Sequence, residues 1–176
     1  DAFTTLQIQS NGAKSGTGYS DGFNRTGYNT SAVTVTGTPI WVTTTGDSFG
    51  GANTALFFDG TDILAFADSA DWDLGSSTSV EYTLESWVYI PSQGQAAGHA
   101  STRFMLFSQF EDTAEHWMVN TYITGKWRFA VYSGGGGVVD FQSTQNYKVD
   151  SWEHFVLQKR TGGTWEMYQD GVLTGS

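Results

Sequence analysis

The chain has 176 residues, the length of one ordinary globular domain, and it contains no cysteine, which excludes disulfide bonds, thiol catalysis and thiolate metal sites. Eight Lys and Arg residues against 18 Asp and Glu residues give a formal net charge of −10, which disfavours nucleic acid and anionic membranes as partners. No stretch approaches the roughly 18 apolar residues of a membrane helix, so we expect no membrane insertion.

The N-terminal third predicts short strands separated by loops. Gly occurs 22 times and aromatic residues make up 15% of the chain, a composition typical of strands joined by tight turns. Residues 1–10 alternate apolar and polar side chains as a half-buried strand does, and residues 11–30 have the composition of a long loop. Further strands are predicted around residues 33–35, 40–42, 55–58 and 63–66.

The clearest strand lies between residues 80 and 90. Alternation places Tyr82, Leu84, Ser86 and Val88 on one face of this strand. The other face carries Glu81, Thr83, Glu85, Trp87 and Tyr89. Pro91 ends the strand because proline cannot donate to a ladder. Further strands are predicted over residues 104–110, 116–123, 127–132, 138–142, 153–159 and 165–169. This succession of short strands favours an all-β sandwich or barrel over alternating strands and helices.

The turn at Thr124-Gly125 leaves the strand register open. A two-residue turn pairs Ile123 with Lys126, whereas a three-residue turn pairs Ile123 with Trp127. The choice decides which aromatic side chains of the two strands face solvent.

Four ordered motifs resemble the laminin-G-like domains of the concanavalin A-like lectin and glucanase superfamily. Residues 55–60 (Ala-Leu-Phe-Phe-Asp-Gly) with the Asp-Ser-x-Asp-hydrophobic run at 68–72 resemble the opening motif. Residues 82–88, 152–155 and 168–171 are similar to its Phe-Thr-Ile-x-x-Trp-Val, Trp-x-His-Val and Tyr-Val-Asp-Gly motifs. The resemblance implies an all-β fold, specifically a two-sheet antiparallel jelly-roll sandwich (concanavalin A-like). It also implies that Trp87, Trp152 and Phe129 are core residues.

A narrower resemblance concerns the N-terminal part. Asn11-Gly12 after the first strand, and the Phe-Gly-Gly-Ala run at 49–52, look like the copies of this domain in virion proteins of bacterial and marine viruses. Domains of this type continue for several strands past the Asp-Gly turn at 170–171. We therefore expect residues 1–176 to be a single laminin-G-like β-sandwich domain that lacks its last strands.

The resemblance implies a non-catalytic, lectin-like module on a virion or other extracellular surface, binding glycans or decorating a larger particle. The Glu-x-Asp-x-x-Glu arrangement of related glycosidases is absent, and Glu81 and Glu85 would lie roughly 13 Å apart along their strand, too far for a catalytic pair. The alternative is a purely structural assembly or cement domain whose partners are neighbouring subunits; a polysaccharide-cleaving enzyme is the least favoured interpretation.

Aromatic rings grip the apolar face of a sugar while polar side chains hold its hydroxyls, so the candidate glycan site combines both. We predict that the strands on either side of Gly125 present Trp117, Tyr122, Arg128 and Tyr132 to solvent, with Glu111 and Asp112 in the preceding loop. For any single aromatic residue, burial in the core is the competing interpretation.

Two acidic sets raise the question of calcium, which prefers clustered oxygen ligands. Asp59, Asp62 and Asp68 surround one predicted turn, and Glu111, Asp112 and Glu115 occupy another. The first set is the candidate calcium site, and a solvated acidic loop is the alternative in both places.

Overall fold

The computed structural model describes residues 34–37, 40–43, 54–65, 74, 81–92 and 103–176. The strand predicted over residues 1–10 and the loop predicted over residues 11–30 lie outside these ranges. The chain divides into two compact units, Asp1–Asp71 and Trp72–Ser176. The prediction that residues 1–176 form one domain lacking its last strands stays a prediction. No helix in the described part of the chain is long and apolar enough to cross a membrane.

The first unit contains two antiparallel strand pairs. Strand β1 (Thr34–Thr36) pairs with β4 (Ile63–Ala65), and β2 (Ile40–Thr43) pairs with β3 (Thr54–Phe57). These are the four strands predicted for this part of the sequence. Gly37 ends β1 with a φ of 83°, and a Cβ atom on it would lie 2.2 Å from Oδ1 of Asp62. Only glycine fits there without rearrangement.

The second unit contains two antiparallel four-stranded sheets. One has the order β12-β11-β10-β5 and the other the order β6-β7-β8-β9. Every pairing within them is antiparallel. The strands are β5 (Tyr82–Tyr89), β6 (Met105–Phe110), β7 (His116–Thr121), β8 (Lys126–Ser133), β9 (Gly136–Asn146), β10 (Trp152–Lys159), β11 (Trp165–Gln169) and β12 (Val172–Gly175). The predicted all-β, two-sheet antiparallel fold is confirmed.

The alternation in β5 explains how one of these sheets covers the core. Tyr82, Leu84 and Val88 pack against the buried cluster, whereas Glu81, Glu85 and other residues of the opposite set are on the far face. Strand residues alternate between the two faces of a sheet, so the period-two pattern of the sequence becomes one apolar face and one polar face.

Aromatic side chains from both sheets meet in the core. The ring of Trp127 on β8 lies 4.9 Å from that of Phe155 on β10, and Phe129 on β8 lies 4.5 Å from Trp165 on β11. Phe129, Phe155 and Leu157 on β10 have no exposed surface. Each fully buried large apolar side chain contributes about 1.5–3 kcal/mol to stability, so this contact between the sheets is the main source of cohesion.

A buried acidic residue adds a polar link between the sheets. Glu153 on β10 is only 2% exposed. The indole Nε1 of Trp127 donates to its Oε2 at 2.9 Å, and Nε2 of Gln169 donates to its Oε1 at 2.5 Å. The backbone N–H of Lys148 also donates to Oε2, at 3.3 Å. Because Trp127 and Glu153 belong to different sheets, this network fixes one sheet relative to the other.

The turn between β7 and β8 has neither of the two registers that the sequence left open. Thr121 pairs with Trp127, the Tyr122 N–H donates to the carbonyl of Lys126 at 2.7 Å, and the Gly125 N–H donates to the carbonyl of Tyr122 at 2.9 Å. The loop therefore has three residues, but it starts at Ile123, so Lys126 pairs with Tyr122 instead of Ile123. Gly125 has a φ of 80°, the left-handed conformation that glycine adopts readily.

Strand β12 was not predicted from the sequence, which indicates a turn at 170–171 and no strand after it. Gly175 at its end allows a close approach to β9. A Cβ atom there would lie 3.1 Å from the carbonyl oxygen of Gln142 and from the ring of Phe141. The two sheets thus come together along the edge formed by β9 and β12.

Replacing Glu153 by glutamine tests the link between the sheets. The variant keeps the size of the side chain but converts one acceptor oxygen into an NH₂ donor, so one buried N–H group loses its acceptor. We expect the free energy of unfolding to fall by about 1–3 kcal/mol, the cost of one unsatisfied buried group. Urea denaturation followed by tryptophan fluorescence measures it.

Glu81→Gln is the matched control because it removes the same charge from an exposed side chain that accepts hydrogen bonds from Thr161. We expect its effect to stay within about 0.5 kcal/mol. A loss for Glu153→Gln no larger than that of the control would contradict the role assigned to Glu153.

Candidate functional site

The face of the β6–β9 sheet opposite the core carries the candidate site. On β7, Trp117 and Val119 point into the core, and on β8 Trp127, Phe129 and Val131 do so. The alternate residues therefore occupy the other side of the sheet. We call this side the outer face; on these two strands and the turn between them it comprises His116, Met118, Asn120, Tyr122, Lys126, Arg128, Ala130 and Tyr132.

Arg128 is the centre of the polar contacts on the outer face. Its guanidinium donates to both carboxylate oxygens of Asp140, from Nε at 2.8 Å and from Nη2 at 2.5 Å. Nη2 also donates to the hydroxyl of Tyr132 at 3.0 Å. The Arg128 side chain is 9% exposed and that of Asp140 is 48% exposed. The hydrogen bond to Asp140 holds the pKa of Arg128 above its usual range, so the group stays charged.

Two arginines flank the ring of Tyr122. The guanidinium carbon of Arg103 lies 5.0 Å from the ring centroid and that of Arg128 lies 5.5 Å from it. Both distances are within the range of a cation–π contact, which favours a charged group over the face of the ring. Tyr122 thereby holds the Arg103 side chain against the sheet.

A row of three rings occupies the end of the outer face away from Tyr122. His116 stacks on Tyr132 with ring centroids 4.4 Å apart, and Phe110 on β6 lies 5.0 Å from His116. Phe110 is 64% exposed. A large aromatic ring held at a sheet surface by its neighbours offers an apolar platform to a flat ligand.

Two buried polar atoms on the outer face have no hydrogen-bond partner among the described residues. They are Oδ1 of Asn120 and Nδ1 of His116. Asn120 is fully buried, and its Nδ2 donates to Sδ of Met118 at 3.4 Å. Buried polar atoms are nearly always paired, and leaving one unpaired costs about 1–3 kcal/mol.

The structure brings together three of the six residues predicted to bind a glycan. These are Tyr122, Arg128 and Tyr132. On the outer face, Arg128 donates to the hydroxyl of Tyr132 and lies over the ring of Tyr122. The prediction that Trp117 faces solvent is wrong. This residue is 7% exposed and belongs to the core. Its Nε1 donates to Oε1 of Gln109 at 2.8 Å. The register starting at Ile123 turns Trp117 inward.

The acidic turn between β6 and β7 uses its carboxylates for its own conformation. Asp112 accepts from the N–H groups of Ala114 at 2.6 Å and Glu115 at 2.9 Å. Glu115 accepts from the N–H of Gly134 at 2.6 Å. The N–H of Glu111 donates to the carbonyl of Glu115 at 3.2 Å. The hydrogen bonds of Asp112 and Glu115 thus account for a turn without any ligand.

In the candidate calcium site, the carboxylates of Asp59 and Asp62 also accept hydrogen bonds within their own turn. Asp59 accepts from the N–H of Thr61 at 2.9 Å and from its hydroxyl at 2.7 Å, and these bonds lower the pKa of Asp59. Asp62 accepts from the N–H of Asp59 at 2.9 Å. Asp68 lies outside the described residues. Within those residues no group of three or more His, Cys, Asp or Glu side chains is placed to hold a metal ion.

The far face of the β12-β11-β10-β5 sheet is also polar and aromatic, and several of its polar side chains are hydrogen-bonded to one another. His154 stacks on Trp87 with centroids 4.8 Å apart and bonds Oε1 of Glu85 through Nε2 at 2.8 Å. The implied core position is confirmed for Phe129 and wrong for Trp87 and Trp152, which are only partly buried. Their strands turn them away from the core cluster.

Glu166 is the most strongly held carboxylate of that far face. It accepts from Nε2 of Gln158 at 2.7 Å, from Nε of Arg160 at 2.5 Å and from the hydroxyl of Tyr168 at 2.8 Å. These three hydrogen bonds lower the pKa of Glu166 to about 2. Among the described residues, none of the buried unpaired side-chain atoms lies on this far face.

Sequence reasoning missed four residues of the candidate site: Phe110, His116, Asn120 and Asp140. Their positions follow from the register between β7, β8 and β9, in which Asn120 pairs with Arg128 and Met118 with Ala130. The sequence signal that could have found them is the alternation of these positions with the apolar residues Val119 and Phe129. Without the length of the turn, the pairing between the strands cannot be read from that alternation.

The fold and the site together define a class: an antiparallel two-sheet β-sandwich with a polar and aromatic outer face. A family model described as the concanavalin A-like lectin/glucanases superfamily, of laminin-G type, matches residues 58–176. The chain belongs to this superfamily. Neither the curated proteins nor the solved structures gave a match. Membership supports a lectin-like or carbohydrate-binding module.

The low pKa of Glu166 predicts a pH window. Its folded-state pKa of about 2 lies below its ordinary value of 4.5, so its stabilising effect is complete above about pH 4.5 and is lost as the pH falls toward 2. We expect the stability difference between the wild type and Glu166→Gln to be constant from pH 7 to 5 and to shrink between pH 4.5 and 2. Urea denaturation at each pH measures both proteins.

The subtraction cancels every other carboxylate, because these titrate alike in the two proteins. A stability difference that stays the same down to pH 2 would show that Glu166 has no lowered pKa.

Proposed function

We propose that this chain is a non-catalytic, lectin-like module that binds a glycan on the outer face of the β6–β9 sheet. The observation that carries the proposal is the ring of Phe110, which is 64% exposed on that face and lies 5.0 Å from the ring of His116. It shares this face with the Arg128–Asp140 pair, whose Asp140 side chain is 48% exposed. A sugar offers hydroxyl donors and acceptors beside an apolar ring face, which matches this combination.

The proposed roles follow from chemistry. Phe110 supplies the ring that stacks on the apolar face of a pyranose. The exposed side of Asp140 accepts a hydrogen bond from a sugar hydroxyl, and the ion pair with Arg128 holds this carboxylate in place. Tyr132 has an oxygen already bonded to Arg128, so its ring contributes more than its hydroxyl.

Binding without catalysis is supported by the carboxylates of this sheet. A glycosidase needs two of them flanking the scissile bond, one of which must carry a proton. Among the described residues of β6 to β9, Asp140 is the only acidic residue, and both its oxygens are engaged by Arg128. Glu81 and Glu85 belong to the other sheet and are bonded to Thr161 and His154.

The proposal places the module on a virion or another extracellular surface. The support is the resemblance of the N-terminal motifs at 11–12 and 49–52 to the copies of this domain in virion proteins. The net charge of −10 agrees with display on a particle, because like charges keep displayed modules apart.

A glycan array followed by titration of the best ligand tests the proposed site with two matched aromatic variants. Phe110→Ala removes a ring that is 64% exposed on the outer face, and Tyr89→Ala removes a ring that is 42% exposed on the other sheet. We expect Phe110→Ala to weaken binding about 2- to 12-fold, the equivalent of one aromatic contact of about 0.5–1.5 kcal/mol, and Tyr89→Ala to leave it unchanged.

Two results would contradict the proposal. Equal loss in both variants, or loss in Tyr89→Ala alone, would move the site to the other sheet. No binding to any glycan of the array would remove the lectin-like function and favour the alternative, a structural assembly or cement domain.

A further inference from the structure

The cations of the described residues separate into two groups. Arg128, Lys148 and Arg160 each form an ion pair with a carboxylate, at 2.5–2.6 Å, and Lys159 is buried beside a backbone carbonyl. Arg103 and Lys126 have neither an ion pair nor a side-chain hydrogen bond within the described part of the chain. In a protein with a net charge of −10, these two uncompensated cations are conspicuous.

Both cations lie at the same end of the outer face. Arg103 rests over the ring of Tyr122 at 5.0 Å. Lys126 is joined to Tyr122 by the backbone hydrogen bond of the β7–β8 turn, at 2.7 Å, and it alternates with Trp127, so it shares the outer face with Arg128. Tyr122 is therefore the centre of a basic cluster made of Arg103, Lys126 and Arg128.

The opposite end of the same face is acidic. The turn of Glu111, Asp112 and Glu115 immediately precedes His116, which stacks on Tyr132. A ligand lying along the outer face thus meets positive charge beside Tyr122 and negative charge beside His116. Such a gradient selects both the charge of a ligand and its direction.

We propose that the glycan bound on the outer face is anionic, carrying a carboxylate or sulfate group that contacts Arg103 and Lys126 beside Tyr122. This rests on the proposed function and names the substrate class of the same site. Arg103 donates no side-chain hydrogen bond within the described residues, so its N–H groups are available to the ligand. Holding the guanidinium on the ring also reduces the conformational entropy lost on binding.

The test compares matched pairs of oligosaccharides that differ only in charge. For carboxylates, the pair is tetragalacturonate and its methyl ester. For sulfates, the pair is a carrageenan tetrasaccharide and its desulfated form. Titration calorimetry at about 20 mM salt measures the wild type, the double variant R103Q/K126Q and the control K148Q/R160Q.

The control variant removes two positive charges from exposed positions outside the basic cluster, Lys148 in the loop between β9 and β10 and Arg160 just after β10. Both variants therefore have the same net charge. We expect one anionic ligand to bind at least about tenfold tighter than its neutral partner. R103Q/K126Q removes two exposed charge contacts and should abolish most of this preference, whereas K148Q/R160Q should retain it. Which pair shows the preference identifies the anionic group as a carboxylate or a sulfate.

Three results would overturn the inference. Equal affinity for the charged and neutral oligosaccharides, or an equal loss of affinity in the two double variants, would show that the basic cluster does not select anionic ligands. The glycan-binding proposal would stand in that case. Binding of neutral glycans alone would have the same meaning. If no glycan of the four or of the array binds, the proposed function fails together with this inference.

Discussion

The hydrogen bond from Trp127 to the buried Glu153 is the interaction on which the rest of this structure depends. It joins β8 of one sheet to β10 of the other at 2.9 Å, inside a core held mainly by non-directional apolar contacts. Gln169 on β11 adds a second polar link between the sheets, donating to the carbonyl of Asn146 on β9 at 3.1 Å. An apolar core alone tolerates sliding of one sheet over the other. A buried carboxyl group with three N–H donors does not, because any displacement leaves a buried polar group unpaired.

Fixing Trp127 on the inside also fixes its neighbours on the outside. Lys126 and Arg128 precede and follow it in β8, so both must project from the outer face. The backbone N–H of Trp127 is held as well, by the hydroxyl of Ser143 on β9 at 3.1 Å. The outer face is therefore preorganised by the core, with Arg128 clamped to Asp140 and the rings of His116 and Tyr132 stacked before any ligand arrives.

Alternation and turn residues were enough to predict most strands of the sandwich. In β5 the alternation separated the two faces as predicted, and the structure places Tyr82, Leu84 and Val88 on the core side. Strand β12 was missed because Val172 and Leu173 follow the Asp-Gly turn without any alternation, and both are about half exposed. A four-residue edge strand carries too little pattern to be seen without its partner.

The site was less predictable, since it depends on pairing between strands. Alternation shows that Trp117 and Met118 face opposite sides, but it cannot say which side is the core. That choice was made by the loop starting at Ile123, which placed Trp117 inside and brought Asn120 opposite Arg128. An unpaired oxygen on Asn120 is a property of the packed structure, and no motif in the sequence encodes it.

The central claim is that the outer face of the β6–β9 sheet is the surface that contacts a glycan. The most direct measurement is an NMR titration of the isotope-labelled protein with a bound oligosaccharide, followed through backbone amides and the Asn120 side-chain NH₂ group. If the glycan binds on the outer face, the largest chemical-shift changes occur at Phe110, His116, Asn120 and Arg128. Changes confined to β5, β10 and β11, with Asn120 unmoved, would contradict it.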